Sequence, residues 1–332
     1  MTRIAINGLG RIGRATLKLA LDNPALEVVA VNDLIDVEQL IYLLRYDSAY
    51  GRYEKDISSA GGEIVINQQA IRVCNEKDPE NLPWQSLEVD VVLECTGVFT
   101  SQPDLAKHLK AGAKCAILSA PPKGEGKDSV DLVVVGVNDS DAEMFSTASC
   151  TTNCITPVME ILHRRIGVSK AVLNTTHAYT SSQQMVDTAS KKPERGRAGA
   201  ANLVPTSTGA AKATTKILTD LQGKFDGLAI RAPILVGSIS DITLVTERGT
   251  SASEINDILR EEAGSDRYRG IVGVTDDPIV SADIVMDPRA AIVDLGLTKV
   301  VADDLVKVMV WYDNEWGYAA QMVRQAEKFP GS

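Results

Sequence analysis

The sequence has few cysteines, few histidines and no long apolar run, and each shortage excludes a class of protein. Its five cysteines are odd in number and lack zinc-ligand spacing, so a reducing compartment suits them better than a disulfide scaffold or a structural metal. No apolar run approaches the roughly 20 residues of a membrane span. The N-terminus passes from Met-Thr-Arg into a strand without a secretory segment. We therefore expect a soluble, cytoplasmic protein with no membrane partner.

Positive charge is also scarce. The chain has 34 Lys and Arg against 44 Asp and Glu, a formal net charge of −10. Without a basic surface stripe, nucleic acid is not an expected partner, although local cations at a site still permit an anionic substrate. The 332 residues, 44% of them hydrophobic, are enough for about two globular domains of ~150 residues each.

The chain is organised around a central Ser-Cys-Thr-Thr-Asn-Cys stretch that begins at Ser149. The apolar run Val130–Val137 predicts a buried strand before it, and apolar residues over 155–166 recur at helical spacing. Ser149 and Thr151 are good N-cap residues, so Cys150 is expected at a helix start, where partial positive charge favours a thiolate. A lone cysteine is more often an inert hydrophobe, so the nucleophile hypothesis depends on the rest of the chain.

Only three histidines are present, and one stands out. His177 directly follows a predicted strand over 171–176, which places it at a strand end rather than in a core. There it could form a thiolate–imidazolium pair with Cys150 and serve as a base. His108 and His163 fall inside helical patterns with no polar group nearby, so we predict that they pack or face solvent.

A nucleotide-binding pattern opens the chain. The predicted strand Arg3–Asn7 leads into a G-x-G-x-x-G turn beginning at Gly8, with Gly10 as its second glycine, and then into a helix. Backbone N–H groups there can approach a pyrophosphate. A second predicted strand ends in Asp33, about 20 residues further on, where a carboxylate binds ribose hydroxyls and repels a 2′-phosphate. The sequence therefore favours NAD over NADP.

Strands then alternate with helices, which predicts a doubly wound parallel sheet, the Rossmann arrangement. Thr96 and Ser119 follow two of the predicted strands, at the edge where such sheets bind ligands. After the Cys150 helix, the apolar–polar alternation of Ile239–Val245 is typical of antiparallel pairing. We predict an α/β fold with a parallel N-terminal sheet, an α+β catalytic domain with a mixed or antiparallel sheet, and a C-terminal helix that returns to the first domain.

The predicted domains are an NAD-binding domain over 1–149, a catalytic domain over 150–313 and a C-terminal helix over 314–332. A basic loop lies within the second of these, at Lys191–Arg197. Together with Thr180, the stretch Thr206–Gly209 and Arg231, it offers hydroxyls, backbone N–H groups and guanidinium groups, the chemistry that binds phosphates.

Five motifs, in order along essentially the whole chain, resemble phosphorylating glyceraldehyde-3-phosphate dehydrogenase. They are Ile6-Asn7-Gly8-Leu9-Gly10-Arg11-Ile12-Gly13-Arg14, Ala148-Ser149-Cys150-Thr151-Thr152-Asn153-Cys154, His177-Ala178-Tyr179-Thr180, Thr208-Gly209-Ala210-Ala211-Lys212 and Trp311-Tyr312-Asp313-Asn314-Glu315-Trp316-Gly317-Tyr318. The central motif is highly specific.

The resemblance implies a mechanism. Cys150 attacks the aldehyde of D-glyceraldehyde 3-phosphate with His177 as base, NAD is reduced, and inorganic phosphate attacks the resulting thioester to give 1,3-bisphosphoglycerate. It further implies a homotetramer, and roles for three groups of residues. The cofactor set is Gly8, Gly10, Arg11, Ile12, Asp33, Thr96, Ser119 and, for the nicotinamide carboxamide, Asn314. The resemblance implies that Thr180 and Arg231 bind the substrate phosphate. The residues implied for the attacking phosphate are Ser149, Thr151, Thr208 and Gly209, with Arg195 shared between the two phosphates or nearby.

This chain departs from the family pattern at several positions. Thr147 replaces an Asn before the nucleophile loop, Ser182 replaces an Asp near Thr180, and Ala232-Pro233-Ile234 replaces Val-Pro-Thr. A small Ala189 stands where NAD-specific members place a residue against the ribose, so NADP use stays open. Two alternatives to the leading hypothesis remain: an erythrose-4-phosphate dehydrogenase, which hydrolyses its thioester, and a non-catalytic NAD-binding scaffold.

Overall fold

The computed structural model describes residues 1–124 and 129–329. Within these ranges seven α-helices form: α1 Arg11–Leu21, α2 Val37–Arg45, α3 Gln102–Lys110, α4 Cys150–Ile166, α5 Ala210–Ile217, α6 Ala252–Gly264 and α7 Trp316–Glu327. None of them, over the part of the chain described, combines the length and apolar character of a membrane crossing. Residues 330–332 of the predicted C-terminal segment lie outside the described residues.

The strands are numbered in chain order. They are β1 Thr2–Asn7, β2 Leu26–Asn32, β3 Tyr46–Asp47, β4 Gly51–Arg52, β5 Ile57–Ala60, β6 Glu63–Ile66, β7 Gln69–Cys74, β8 Val91–Glu94, β9 Cys115–Leu118, β10 Asp131–Leu132, β11 Met144–Ser146, β12 Val168–Ala178, β13 Val204–Ser207, β14 Phe225–Ala232, β15 Ser238–Thr246, β16 Val272–Thr275, β17 Ala291–Val301 and β18 Leu305–Tyr312.

Two compact units contain these elements. One comprises 1–133, 139–148 and the chain from Ala319 onward; the other comprises 134–138 and 149–318. The first unit holds a sheet of order β10-β11-β9-β8-β1-β2-β7-β6-β5. It is parallel from β10 to β7 and antiparallel at the β5–β6–β7 end.

The central strands of this first sheet are apolar because both of their faces are covered. Every residue of β8 and of β9 is buried, the condition of a strand in a doubly wound parallel sheet. The last turns of α7 join the same core through Met322, Val323 and Ala326. The predicted return of the C-terminal helix to this unit is confirmed.

The second unit holds a mixed sheet of order β13-β14-β12-β15-β18-β17-β16. Strands β12, β15, β18 and β17 pair antiparallel, whereas β12–β14 and β16–β17 are parallel. Along β15 every second residue is buried, as the alternation of Ile239–Val245 predicted. The predicted fold class is confirmed.

One sequence prediction about an element needs correction, and one strand was not predicted. The run Val130–Val137 is a strand only over Asp131–Leu132, at the edge of the first sheet. Beyond it, the chain turns: the N–H of Val137 donates to Val134 O, and Gly136 has a φ of +81°. Strand β17, which follows a stretch without clear alternation, had no sequence prediction.

Candidate active site

The central helix α4 begins at Cys150, as predicted. Ser149 has extended backbone torsions, and its Oγ accepts a hydrogen bond from the N–H of Thr152 at 3.1 Å. This is a standard N-cap and leaves the first N–H groups of the helix without intrahelical partners. Cys150 is only partly buried as a residue, so this helix start is open to a ligand.

Cys150 and His177 meet, although 27 residues separate them in the chain. Cys150 Sγ lies 3.3 Å from His177 Nε2. One expectation about His177 is wrong: it lies within β12 rather than after it, and it is buried, with 5% of its surface exposed. Strand β12 extends two residues beyond the sequence prediction because its backbone stays paired with β14 through Ala178.

A guanidinium lies on the far side of the imidazole. Arg231, opposite His177 in the β12–β14 ladder, places Nη1 2.7 Å from His177 Nδ1 and 3.1 Å from Ala178 O. His177 Nδ1 is also 2.6 Å from Ala178 O. Arginine is only a donor, so Nδ1 accepts from Arg231 in one tautomer and donates to Ala178 in the other. Only the second leaves a lone pair on Nε2 for the thiol proton.

Electrostatics at this pair differ from the sequence prediction. Burial, and secondly the charge of Arg231, lower the pKa of His177 to about 3. Burial raises the pKa of the Cys150 thiol, against a smaller opposing effect of Arg231. Both directions favour a neutral thiol beside a neutral imidazole, in contrast to the thiolate–imidazolium pair that the sequence suggested. The favourable helix start does not outweigh burial.

Tyr312 supports the site and was not singled out from the sequence. Its hydroxyl lies 2.9 Å from both Thr151 Oγ1 and Thr175 Oγ1, and its ring meets the His177 ring edge-on, with centroids 6.0 Å apart. Tyr312 is the last residue of β18 and is fully buried. The residue was visible in the C-terminal motif, but its partners are distant in sequence and no local pattern identifies them.

The hydroxyls proposed for phosphate binding lie in different surroundings. Thr151 is buried with its hydroxyl on Tyr312, whereas Ser149 caps the helix. Thr180 Oγ1 lies 2.9 Å from Ser182 Oγ, so two hydroxyls pair at this position. Among the described residues, Thr180 makes no hydrogen bond to Cys150, His177 or Arg231.

The basic loop approaches the same strands. Arg195 Nε donates to Thr206 Oγ1 at 3.0 Å, and Thr206 lies in β13, which pairs with β14 beside Arg231. The charge of Arg195 contributes to lowering the pKa of both His177 and Arg231, which places it near them. Thr208 and Gly209 follow β13 and precede α5, where Thr208 Oγ1 accepts the N–H of Ala210 at 3.2 Å.

One hydrogen-bond donor of Arg231 is left for a ligand. Its Nε is buried and has no hydrogen-bond partner among residues 1–124 and 129–329. Burial lowers the pKa of this guanidinium, with the charge of Arg195 acting in the same direction. Two arginines near each other, one with an unpaired buried donor, form a site suited to an anion.

In the first unit, a cavity of about 770 Å³ lies at the carboxyl ends of the parallel strands, within the size range of cofactor sites. Of the predicted cofactor set, Gly8, Gly10, Asp33 and Thr96 line it. Arg11, Ile12 and Ser119 are not among its lining residues. The Arg11 side chain instead pairs with Asp47.

The glycine turn fits a pyrophosphate. A Cβ on Gly13 would lie 1.9 Å from Gly8 O, so only glycine allows α1 to begin this close to β1. A Cβ on Gly10, by contrast, would meet nothing within 4 Å, so the N-terminus of α1 faces open space that a ligand can occupy. The residues present therefore fit a dinucleotide.

Asp33 lines the same cavity immediately after β2. Its Oδ2 accepts the N–H of Leu9 at 2.6 Å and its Oδ1 accepts the N–H of Ile35 at 3.2 Å. Both carboxylate oxygens keep a lone pair for further donors. The backbone thus holds the carboxylate in place, and its charge opposes a 2′-phosphate.

Asn314 belongs to the second unit and is buried. The N–H of Gly237 and the hydroxyl of Ser238 donate to its Oδ1, at 3.2 and 2.9 Å. Because an N–H group can only donate, these contacts assign the oxygen of the amide and direct Nδ2 toward other acceptors. Within the described ranges, no group of three or more His, Cys, Asp or Glu side chains has the arrangement of a metal site.

The prediction for His108 is right about packing and wrong about its surroundings. His108 is fully buried and sits in a polar network, with Trp84 Nε1 at 3.1 Å from its Nδ1 and Glu94 Oε2 at 3.0 Å from its Nε2. The helical spacing of residues 105–111 gave no sign of these partners, since Trp84 and Glu94 lie outside the helix.

Comparisons with known proteins agree with the two units. A family model described as the NAD binding domain of glyceraldehyde 3-phosphate dehydrogenase matches residues 2–102, and the model of the C-terminal domain matches residues 149–314. The chain is 42% identical to a glyceraldehyde-3-phosphate dehydrogenase of Zymomonas mobilis over 331 residues, covering 98% of this chain and 97% of the relative. It is 44% identical over 327 residues to glyceraldehyde-3-phosphate dehydrogenase 1 of Streptomyces arenae (97% and 96%). With the Clostridium pasteurianum glyceraldehyde-3-phosphate dehydrogenase it shares 42% over 338 residues (99% and 98%).

Proposed function

We propose a reaction for this chain from the premise that it belongs to the glyceraldehyde-3-phosphate dehydrogenase family and is an NAD-dependent dehydrogenase. The reaction is the oxidative phosphorylation of D-glyceraldehyde 3-phosphate to 1,3-bisphosphoglycerate, a step of glycolysis and gluconeogenesis. The observation that carries the proposal is the contact of Cys150 Sγ with His177 Nε2 at 3.3 Å, beside the guanidinium of Arg231.

Cys150 is the proposed nucleophile and His177 the proposed base. The neutral pair becomes reactive when His177 adopts the tautomer with a proton on Nδ1, donated to Ala178 O, so that Nε2 takes the thiol proton. Sulfur then attacks the aldehyde carbon and forms a thiohemiacetal. The imidazolium gives this proton to the alkoxide oxygen of the thiohemiacetal, and His177 Nε2 takes up the hydroxyl proton again when the carbon is oxidised to the thioester.

Arg231 couples substrate binding to this proton transfer. We assign the substrate phosphate to Arg231 and Thr180, because Arg231 has an unpaired buried Nε. A bound phosphate dianion offsets the cation that depresses the pKa of His177 and gives Nη1 a stronger acceptor than Nδ1. The base therefore gains proton affinity when the substrate is present.

The helix start of α4 supplies stabilisation of negative charge. We assign stabilisation of the developing oxyanion to the N–H of Cys150, in the first turn of the helix, and to the His177 side chain. We assign the attacking inorganic phosphate to a set of hydroxyl, N–H and guanidinium groups, in which Tyr312 fixes the rotamer of one hydroxyl. The set is Ser149, Thr151, Thr208, Gly209 and Arg195.

NAD, when bound, supplies the hydride acceptor that converts the thiohemiacetal to a thioester. The residues proposed to hold it are Gly8, Gly10, Arg11, Ile12, Asp33, Thr96, Ser119 and Asn314. Gly10 leaves open space at the start of α1, Asp33 offers oxygen lone pairs for the ribose, and Asn314 offers Nδ2 for the carboxamide. We assign NAD binding to 1–149, the covalent chemistry to 150–313 and a supporting helix to 314–332.

The proposal includes a homotetrameric assembly and a cytoplasmic location. A homotetramer would give exposed apolar side chains on the second sheet, such as Val172 and Leu228, a surface to pack against. All five cysteines are free, which suits the reducing cytoplasm.

An erythrose-4-phosphate dehydrogenase is the second candidate, and one observation favours it. Thr180 Oγ1 pairs with Ser182 Oγ at 2.9 Å, at a position where the resemblance implies an Asp, so the proposed phosphate-binding loop lacks the carboxylate expected of the phosphorylating family. That candidate would release its acyl group to water, so phosphate dependence separates the two.

The test is NAD and NADP reduction with D-glyceraldehyde 3-phosphate, with and without inorganic phosphate, beside Cys150→Ser. We expect NAD reduction that requires phosphate and is absent in the variant. Turnover indifferent to phosphate would contradict the proposal, and erythrose 4-phosphate would be tried next. Tight NAD binding without turnover on either sugar would indicate a binding scaffold.

A further inference from the structure

A buried polar network lies beneath the cavity of the first unit, and the proposed reaction does not use it. Glu94 is the last residue of β8 and is fully buried. Asn7 and Asn32 end the adjacent strands β1 and β2 and are also buried. In the ladders, Asn7 lies opposite Asn32 on one side and opposite Glu94 on the other. Three polar side chains thus meet at the carboxyl edge of the sheet.

Among the described residues, the Glu94 carboxylate acts only as a hydrogen-bond acceptor. Oε2 accepts from Asn7 Nδ2 at 2.5 Å and contacts His108 Nε2 at 3.0 Å. Oε1 accepts from both the N–H of Thr96, at 2.8 Å, and the Thr96 hydroxyl. Four donors therefore converge on one carboxylate without a cationic side chain among them.

The proton positions in this network follow from Trp84. An indole N–H can only donate, so His108 Nδ1 must accept from Trp84 Nε1 at 3.1 Å. His108 Nε2 then carries the proton and donates it to Glu94. The histidine is a neutral bridge whose tautomer is fixed at both nitrogens, and it orients the carboxylate.

The groups that Glu94 holds are the ones that face the cavity. Asn7 and Thr96 line it directly. Asn7 Oδ1 accepts a hydrogen bond from Asn32 Nδ2 at 2.7 Å. Asn32 Nδ2 also donates to Glu76 O, and Asn32 Oδ1 accepts from the N–H of Glu76, each at 2.9 Å. Asn32 and Glu76 also line the cavity, whereas Glu94 and His108 do not.

We propose that Glu94, oriented by His108, is a positioning residue for NAD: its acceptor-only carboxylate fixes Asn7 and Thr96 in the orientation that the dinucleotide meets. A glutamine at position 94 would turn an NH₂ group toward donors on one side. The Asn7 amide or the Thr96 hydroxyl would then rotate, and the cavity wall would lose its preorganised form. The proposal rests on the assignment of this cavity to NAD.

Asp90 provides a matched control at the opposite edge of the same sheet. It directly precedes β8, is fully buried, and accepts the N–H of Arg3 at 2.9 Å and the ammonium of Lys114 at 2.8 Å. Asp90→Asn therefore removes a buried carboxylate from the same strand region without touching the cavity lining. Its effect on stability is comparable in kind to that of Glu94→Gln.

The experiment measures NAD affinity by titration calorimetry and stability by urea unfolding for the wild type, Glu94→Gln and Asp90→Asn. We expect the Kd for NAD to rise about tenfold or more in Glu94→Gln and to change less than about twofold in Asp90→Asn, though both lose stability. The KM for NAD should rise in Glu94→Gln while the KM for the sugar phosphate stays unchanged. In ¹⁵N spectra, the Trp84 indole resonance, assigned with Trp84→Phe, should shift in Glu94→Gln and not in Asp90→Asn.

A folded Glu94→Gln protein with wild-type NAD affinity would overturn the inference, and so would an equal loss of affinity in Asp90→Asn. If Glu94→Gln does not fold, His108→Gln takes its place, because His108 does not line the cavity and its Nε2 contacts the Glu94 carboxylate. A several-fold rise in Kd is expected there, and an unchanged Kd overturns the inference. Failure of the wild type to bind NAD would instead contradict the cofactor assignment itself.

Discussion

Replacing Arg231 with leucine should raise the pKa of His177 by roughly 1–3 units. In the wild type, burial and the Arg231 charge hold that pKa at about 3. The nearest nitrogens are 2.7 Å apart, and delocalisation over each group sets the charge centres further apart, at ~4 Å or more. At an effective dielectric constant of about 20, two such charges repel by about 4 kcal/mol, or about 3 pKa units at about 1.4 kcal/mol each. Structural relaxation and water entering the site reduce this pKa change, and His177 stays buried in the variant. We therefore expect a His177 pKa near 5 in Arg231→Leu.

The assay is a pH titration of histidine-labelled protein, followed in long-range ¹H–¹⁵N spectra. Because the chain has only three histidines, these spectra contain few signals. At pH 5 the wild-type His177 should be neutral, whereas in Arg231→Leu a substantial fraction should be protonated. Arg195→Leu is the graded control, since Arg195 ranks behind burial and Arg231 among the causes of the shift, and it should produce a smaller rise. A His177 pKa unchanged in Arg231→Leu would refute the electrostatic account.

Two further predictions concern Tyr312 and Asp33. Tyr312→Phe removes a hydroxyl that lies 2.9 Å from both Thr151 Oγ1 and Thr175 Oγ1, so the free energy of unfolding in urea should fall by about 1–3 kcal/mol; an unchanged midpoint and slope would show that the threonines find other partners. Asp33→Asn keeps the side-chain shape and removes the charge, so the ratio of NADP to NAD affinity, measured by calorimetry, should rise at least about tenfold; an unchanged ratio would remove Asp33 from cofactor selection.

Local sequence patterns were sufficient for the parts of the fold that depend on local interactions. The start of α4 was predictable because an N-cap at Ser149 and a helical apolar period stand next to each other. The predicted strand over Val130–Val137 was largely wrong because apolar side chains are equally compatible with a buried turn. Gly136 was the one residue in this run that favoured a turn.

The candidate site was predictable in its members but not in its electrostatics. Sequence motifs paired Cys150 with His177, and the structure brings them within 3.3 Å. What no local pattern contained was the depth of burial, which reverses the expected protonation of the pair. The same limit applies to His108, whose partners Trp84 and Glu94 come from other elements.

The most direct test of the proposed chemistry is a single-turnover experiment with enzyme, NAD and D-glyceraldehyde 3-phosphate in the absence of inorganic phosphate. Acid-quenched samples are analysed by peptide mass spectrometry while NADH formation is followed by absorbance. We predict an NADH burst of about one equivalent per active site, accompanied by an acyl group on Cys150 that persists until phosphate is added and then leaves as an acyl phosphate. NADH formation with no acyl group on Cys150, or an acyl group whose release phosphate does not accelerate, would contradict the proposed mechanism.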